Sequence, residues 1–493
     1  MKVSIAYPPL NDAEGIPLLS QNRQFQWFHS PTYIYPVVPA YAATLLKENG
    51  FEVSWNDGIA SEQTFDAWLA EIKNQAPDLL ALEVKTPVVR RFWKIVDRIK
   101  EESPEIAVAL MGDHVTALPE ESLTHSKTDF VLMGGDYDFL LLELCSTIRK
   151  RTSLQELNPG FCFRAGGKIV STGRSEPTGD LDTLPIIDRK LTQYDRYAFR
   201  NGNFKYTPGT YQMAARDCWW GRCLFCSWAT LYPGSHFRTV SPERHLGEIE
   251  SLANCYRIRE IFDDAGCFPR GKWLKTYCRG FLDRGLQKRV VMGCNMRVGG
   301  LAAEEWRLLG KCNFRMVLIG LESVNADTLK RLNKNIRVDQ IKETFRMAKR
   351  AGLEPHVTTM VGYPWETKAD AMETLSFTGK LFKEGLVDSL QATIVVPYPG
   401  TPLFQTAHDN GWLLTENWDD FDMRSSVWKS PITQGEVQEQ AKGLYKMALS
   451  PKFLLRKTLS IRSLEELKYF MRVGVKFLGH LFDFNGSKKS TDF

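Results

Sequence analysis

Tyr211-Gln-Met-Ala-Ala-Arg-Asp-Cys218-Trp-Trp-Gly-Arg-Cys223-Leu-Phe-Cys226 runs from an apolar strand directly into a loop that carries three thiols. Thiolates at this spacing can hold three irons of a cubane [4Fe–4S] cluster and leave the fourth iron without a protein ligand. A small molecule can chelate such an open corner, whereas an electron-carrying ferredoxin closes its cluster with a fourth thiolate. The next cysteine along, Cys255, is too distant in sequence to belong to the same loop. Two plainer readings stay open on the residues alone. Structural zinc needs a fourth Cys or His, for which His236 is an unusual partner. Bare thiols are poorly explained as core when they sit among Trp, Gly and Arg.

Working outward from this loop, strands and helices alternate on both sides. Downstream, apolar strands are read at Glu260–Asp263, Val290–Cys294, Met316–Ile319, Glu354–Val361 and Ser389–Val396, with helical patterns between them. With the strand that begins at Tyr211, these six βα units predict an incomplete parallel TIM-like barrel, its reactive end at the strand C-termini. Upstream, strands at Lys2–Tyr7, Phe51–Asn56, Leu79–Val84, Ile106–Met111 and Asp129–Met133 alternate with helices. That order predicts a flavodoxin-like, doubly wound parallel sheet whose ligand lies beyond the strand carboxyl ends. Those ends carry Lys85-Thr86-Pro87, Gly112-Asp113-His114 and Gly134-Gly135-Asp136. Glycine there admits close approach of a large flat ligand, because no Cβ intervenes. The expected division is an α/β domain over 1–157, a linker over 158–206, the barrel over 207–430 and a helical C-terminal region over 431–493.

The remaining composition narrows the class. At 493 residues, 43% hydrophobic and 25% charged, the chain has room for two or three packed domains. A net charge of +5 gives no general pull toward nucleic acid, so no DNA partner is expected. Ten cysteines, three of them grouped as ligands, fit a reducing cytoplasm better than a disulfide framework. No signal-peptide pattern or membrane-spanning run is read, and a cytoplasmic location is expected. In the tail, residues 451–481 hold seven basic side chains against two acids. Ile461, Leu464, Leu467, Met471, Val475 and Leu478 form an apolar stripe at helical spacing. Such a helix either packs its stripe on the barrel with its cations in water, or makes peripheral contact with an anionic membrane.

Cys218, Cys223 and Cys226, with Phe225, Gly320-Leu-Glu322-Ser323 and Val361-Gly362-Tyr-Pro364, resemble the radical S-adenosylmethionine (SAM) superfamily. The resemblance covers roughly residues 210–405, including Pro397-Tyr-Pro399-Gly400-Thr401-Pro. One departure is plain: four residues separate Cys218 from Cys223, where that family usually has three. Gly112-Asp113-His114-Val115 followed by Asp129-Phe-Val-Leu-Met-Gly134-Gly135 resembles the cobalamin (B12)-binding domain that precedes many radical enzymes. The Asp-x-His-x-x-Gly signature that gives cobalt a histidine is absent after the first strand. Its absence fits cobalamin held without a protein histidine, and equally a domain that binds nothing.

What these resemblances imply is a set of expectations. The three cysteines ligate a [4Fe–4S] cluster, and SAM is chelated at the open iron, with Phe225, Gly320, Glu322 and Arg297 around it. Thr86, Gly112, His114, Gly134 and Gly135 face cobalamin. Each has a bland counterpart: Phe225 as a loop anchor, Glu322 as a helix-initiating acid before Ala326, Arg297 in a surface salt bridge, and His114 as a solvated loop residue. Paired acids Asp263 and Asp264, with Asn295, end neighbouring strands near the same place. The implied activity is functionalisation of an unactivated C–H bond, foremost C-methylation, on a small-molecule substrate, possible classes being a lipid or isoprenoid. An external electron donor of the flavodoxin or ferredoxin type is implied as well. Other readings are a radical cyclase or rearrangement enzyme, an RNA-modifying radical enzyme, and a non-catalytic iron–sulfur protein.

Overall fold

The computed structural model describes residues 1–10, 15–19, 26–29, 32–177, 179–234, 236–447 and 450–483. Its first part contains β1 (Lys2–Tyr7), the short antiparallel pair β2 (Ile16–Leu18) and β3 (Gln26–Phe28), then β4 (Glu52–Asp57), β5 (Leu79–Glu83), β6 (Ala107–Met111) and β7 (Phe130–Leu132). A hairpin follows, β8 (Phe161–Ala165) and β9 (Lys168–Ser171). The sheet order is β4-β1-β5-β6-β7-β8-β9. The first five of these strands in that order are parallel, and β8 and β9 add antiparallel to the edge. The hairpin therefore extends the sheet into the segment read as a linker. Every residue of β5 is buried, as a parallel strand covered by helices on both faces requires. The helix Phe65–Gln75 starts on a Thr64 side-chain cap, and Val89–Glu102 buries Phe92, Ile95, Val96 and Ile99 on one face.

The second sheet is a curved, open half-barrel. Its strands are β10 (Gly209–Gln212), β13 (Glu260–Asp263), β14 (Val291–Arg297), β15 (Phe314–Glu322), β16 (Glu354–Val361) and β17 (Ser389–Ile394), all parallel and paired in chain order. Between β10 and β13 lie the two-residue strands β11 (Ala215–Arg216) and β12 (Arg238–Thr239), paired antiparallel. They clamp the two ends of the segment that carries the cysteines. Helices such as Pro242–Cys255, Lys272–Asp283 and Val338–Arg350 cover the outer face, where Leu246, Ile249, Tyr277 and Phe345 meet Ile261, Cys294 and Val317. A different apolar core fills the first sheet and continues without a break into the barrel through Tyr211, Met213, Phe262 and Met316.

Beyond Trp418 the chain is not helical at once. Residues 421–433 are irregular, with Phe421, Met423, Val427, Trp428 and Ile432 buried, and the helix Gln434–Met447 begins only after them. Trp27 lies under the Arg91 guanidinium and near that of Arg424, so the N-terminal aromatic run does reach between the two halves; Phe25, Ser30 and Pro31 of that run lie outside the described residues. The last helices are Pro451–Leu459 and Leu464–Asp483. The latter docks by its polar face: Glu465 on Arg259, Glu466 on Lys205 at 2.8 Å, Tyr469 under Arg315 and Lys476 on Thr32. Its apolar stripe is therefore not what holds it to the barrel. The side chain of Leu478 and residues 487–491 lie outside the described residues. No described helix is long and apolar enough to cross a membrane.

Candidate active site between the two sheets

The strand carboxyl ends of the first sheet face those of the half-barrel, and the cysteine loop lies between them. The loop is built by local constraints. Asp217 takes φ +69°, a left-handed conformation that Asp tolerates better than most residues, and its Oδ1 accepts from the Cys218 N–H at 2.6 Å. Gly221, at φ +57°, turns the four-residue segment between the first two cysteines. Leu224 N–H donates to the Leu332 carbonyl and Leu403 N–H to the Leu224 carbonyl, which stitches the loop to two barrel ends. Phe225 packs among Leu332, Met360, Tyr363 and Leu403, as a loop anchor does, with the Lys334 ammonium 5.8 Å from its ring centre.

The three sulfurs differ in their surroundings. Cys218 is held down to about 6, first by a hydrogen bond from the Cys267 thiol, then by the Gly221 and Trp220 N–H groups and the nearby Arg297 guanidinium, against the opposing effect of burial. Burial pushes Cys223 up to about 11 and Cys226 well above the ordinary thiol value. Two of the three thiols thus stay protonated until a cation compensates their charge, and metal binding there releases protons. Among the described residues no three His, Cys, Asp or Glu side chains converge as ligands of a single ion. A cubane distributes its thiolates over separate irons, so the donor set fits that group.

Around the thiols, Arg297 and Glu322 sit where the sequence placed them, at adjacent strand ends: Arg297 pairs with Gly320 in the register of β14 and β15. Arg297 is no surface salt bridge. Its guanidinium lies 4.1 Å from the Trp220 ring centre and 5.5 Å from that of Trp219, and it donates to the Lys334 carbonyl. Two indoles of the four-residue segment thus hold this cation beside the sulfurs. Glu322 is not a capping acid, since Asn325 caps the helix Ala326–Arg331. It takes φ +63° and accepts from Lys334 Nζ at 2.5 Å and from Thr358 Oγ1 at 3.2 Å. Burial works against the Lys334 cation, but Glu322 and the Cys223 sulfur outweigh it and raise its pKa. A Cβ on Gly320 would lie 2.4 Å from the Glu322 carboxylate, so glycine is what lets that side chain fold back over the strand. A buried ion pair on a strained backbone beside the thiols fits a zwitterionic ligand such as the methionyl end of SAM. Asp264 Oδ1 accepts from Asn295 at 3.3 Å, while Asp263 lies 3.3 Å from His245, so the two acids do not work as a pair.

On the opposing side, His114 is fully buried, with Nδ1 3.2 Å from Thr86 Oγ1 and Nε2 2.9 Å from Glu121 Oε2. Trp418 donates to the same Glu121 and meets the His114 ring edge-on. His114 is therefore not a solvated loop residue: it is buried, and both ring nitrogens have protein partners. The glycines at these strand ends answer to protein neighbours: a Cβ on Gly112 would meet the Val84 carbonyl at 2.1 Å, one on Gly135 the Tyr232 ring at 2.4 Å and one on Gly134 the Ser175 Cβ at 3.3 Å. Gly135 N–H donates to the Leu231 carbonyl at 2.8 Å, only five residues beyond Cys226. Beside these contacts Tyr7 Oη donates to Glu83 at 2.5 Å, and Lys85 lies 3.3 Å from Asp113. Burial, opposed by Lys85 and Tyr7, pushes Glu83 up to about 7. Tyr137 Oη is buried without a hydrogen-bond partner, as is Thr230 Oγ1 on the barrel side, while Glu83 Oε1 keeps only an ion pair with Lys85 at 3.9 Å. Orphaned polar atoms on both walls of one interface fit a polar ligand between them, and cobalamin is such a ligand.

Several site residues escaped the sequence reading. Cys267 ends the strand-end turn Asp263-Asp264-Ala-Gly266, and the glycine's Cβ position lies 3.0 Å from Cys218 Cβ. Lys334 stands twelve residues beyond its partner Glu322. Arg216 donates to Asp136 at 2.8 Å and to Asp138 at 2.9 Å, with Arg238 also on Asp136 at 2.9 Å. That buried network ties the cysteine segment to the first sheet. Only the strand-end position of Cys267 was a signal available in the sequence.

The comparisons with known proteins agree with this geometry. The model of the Radical SAM superfamily matches residues 215–378, and that of the B12 binding domain matches residues 29–139. The chain is 27% identical over 429 residues to the uncharacterized methyltransferase PH0819 of Pyrococcus horikoshii, covering 85% of this chain and 89% of that protein. It is 23% identical over 445 residues to the anaerobic magnesium-protoporphyrin IX monomethyl ester cyclase of Rubrivivax gelatinosus, covering 88% and 77%. Its fold is shared with the radical S-adenosylmethionine methyltransferase TsrM of Kitasatospora setae, whose structure holds cobalamin and a [4Fe–4S] cluster. The TM-score is 0.69 at 14% identity, with 97% of this chain and 99% of that one covered. A [4Fe–4S] cluster, SAM and cobalamin are accordingly the cofactors of this enzyme. With both domains present in one continuous chain and their strand ends opposed across the cysteine loop, the protein belongs to the radical SAM superfamily, in the branch that carries a B12-binding domain.

Proposed function

We propose that this enzyme is a C-methyltransferase that acts on an unactivated C–H bond of a small molecule. The observation that carries the proposal is the opposition of the two sets of strand ends, joined by the Gly135–Leu231 hydrogen bond beside the cysteine loop. When bound, the cluster and SAM supply a carbon radical and cobalamin supplies the methyl group. The chain's own work is placement. Cys218, Cys223 and Cys226 hold the cluster. Glu322 and Lys334 offer opposite charges to the amino and carboxylate groups of SAM, Gly320 makes room for that carboxylate side chain, and Phe225 anchors the loop beneath. Arg297 adds positive charge next to the sulfurs. Thr86, Gly112, Gly134 and Gly135 would shape the cobalamin wall, and His114 would brace it through Glu121 and Trp418.

The same reading divides the chain into the cobalamin-binding region over 1–157, a connecting segment over 158–206, the radical core over 207–430 and a helical region over 431–493. It includes a cytoplasmic location, an external donor of the flavodoxin or ferredoxin type, and a lipid or isoprenoid among the candidate substrates. Ring formation is the second reading, supported by the cyclase of Rubrivivax gelatinosus. The experiment is anaerobic turnover of cobalamin-loaded, reconstituted protein with SAM, a reductant and an extract containing substrate. Formation of 5′-deoxyadenosine together with S-adenosylhomocysteine, and a product one methylene heavier, supports methylation. A product of unchanged carbon count made without S-adenosylhomocysteine replaces it with cyclisation, and absence of cobalt in cobalamin-replete protein ends both.

A further inference from the structure

Apart from Phe453, which packs on Phe382, the two C-terminal helices turn a row of apolar side chains away from the protein. Leu455 and Leu459 on Pro451–Leu459, and Leu464, Leu467, Met471 and Val475 on Leu464–Asp483, are between 41% and 77% exposed. In the second helix they recur at i, i+3, i+7 and i+11, which is one face of an α-helix. Large apolar side chains exposed singly need no explanation, but a contiguous row of them marks an interaction surface. The row adjoins a groove of about 390 Å³ whose walls include the half-exposed Phe199 together with Met471 and Val475.

Charge is sorted across the same helix. Its acids Glu465 and Glu466 face the barrel and are neutralised there by Arg259 and Lys205. Lys468, next to the apolar row, and Lys452 and Arg462 on the preceding segments, are exposed, whereas Arg472 and Lys476 turn to the protein and donate to the Phe204 carbonyl and to Thr32. The outward side is therefore apolar along its ridge and cationic along its flank. A soluble protein partner would require only complementary shape. An anionic bilayer matches both properties at once, with leucine and methionine entering the acyl boundary while long basic side chains reach back to the phosphates.

We infer that the helices spanning 451–483 dock this enzyme on the surface of an anionic membrane, with Leu467, Met471 and Val475 inserted and Arg462 and Lys468 on the headgroups. Docking is peripheral and reversible, since one amphipathic surface does not approach the anchoring strength of a spanning helix. The inference stands on the exposed face and its charge, independently of which carbon is methylated.

The test is flotation of the full-length, cluster-reconstituted protein with phosphatidylcholine vesicles, with and without phosphatidylglycerol. Recovery with the phosphatidylglycerol vesicles alone, reduced at high salt, is the expected result. Leu467→Glu/Met471→Glu should abolish flotation, and Arg462→Glu/Lys468→Glu should weaken it about tenfold or more, each cation near such a surface being worth roughly fivefold in affinity. Both variants should keep wild-type iron content and 5′-deoxyadenosine formation, which shows that they fold. The inference is overturned if the wild type stays at the bottom of the gradient with both vesicle types. It is equally overturned if the wild type sediments as a dimer that Met471→Glu dissociates and no vesicle binding is seen, which would assign the face to a second copy.

Discussion

Replacing Arg216 by Met tests the buried network that ties the cysteine segment to the first sheet. The guanidinium is 2% exposed, Asp136 7% and Asp138 not at all. Arg238 still holds Asp136 after the change, so the group left uncompensated is Asp138. Removing one partner of a buried ion pair costs about 3–5 kcal/mol, far more than a surface bridge. Burial already raises the Asp138 pKa with Arg216 in place; without it the carboxyl stays protonated in the folded state to still higher pH. The unfolded chain then binds fewer protons than the folded one. The variant should therefore lose stability as pH rises above the unfolded value near 4, by up to about 1.4 kcal/mol per pH unit. Urea unfolding followed by both fluorescence and limited proteolysis, at about pH 5.5 and about pH 8, measures this. Arg216→Met/Asp138→Leu removes the orphaned charge and should recover most of the loss. A single variant that loses under about 1 kcal/mol, or loses the same amount at both pH values, would refute the reasoning.

Cys223→Ser should abolish the broad iron–sulfur absorbance and lower iron content severalfold, with 5′-deoxyadenosine formation falling to background. Cys267→Ala should retain iron but lower the reduction potential of the cluster, because it deletes a hydrogen bond to a ligand sulfur; redox titration under EPR checks it. Lys334→Met should weaken SAM binding about tenfold to a hundredfold in equilibrium dialysis, the scale of one charge-assisted hydrogen bond. His114→Ala should leave the EPR spectrum of bound cob(II)alamin without change in axial nitrogen splitting, since both imidazole nitrogens are already engaged. Burial raises the folded Glu83 pKa to about 7, so the folded state holds a proton that the unfolded chain has lost between about 4.5 and about 7, and stability falls as pH climbs through that window. Glu83→Gln should flatten that part of the stability profile.

The strands were legible because parallel strands buried on both faces read as unbroken apolar runs; Leu79–Glu83 is one, and no residue in it contacts water. The cysteine loop was legible because ligands of one centre are close in sequence. Lys334, Cys267 and Arg216 were not, since their partners meet them only after barrel strands come side by side. Gly112 and Gly135 at the first sheet's strand ends also clear a carbonyl and a tyrosine ring of the protein itself, contacts that no sequence pattern shows. Of the two readings of the tail, the one that packs its apolar stripe on the barrel does not hold. An apolar stripe ordinarily seeks the core, but the floor of this half-barrel is ionic, with Arg315 bound to Glu260 and to Glu354 at 2.7 Å, and Lys205 at 3.3 Å from Glu354. A helix can satisfy such a floor only with its own polar side.

The apolar core shared by the two sheets has a consequence for how this protein can be taken apart. Cut away from its neighbour, the half-barrel would present Tyr211, Met213, Phe262 and Met316 to solvent as one greasy wound. Neither piece is a module in the sense of something that can be borrowed, truncated or expressed alone and still keep its shape. Lineages that separate the genes for the two halves would have to refinish that wall, so fusion in a single polypeptide is the state that selection on solubility alone would preserve.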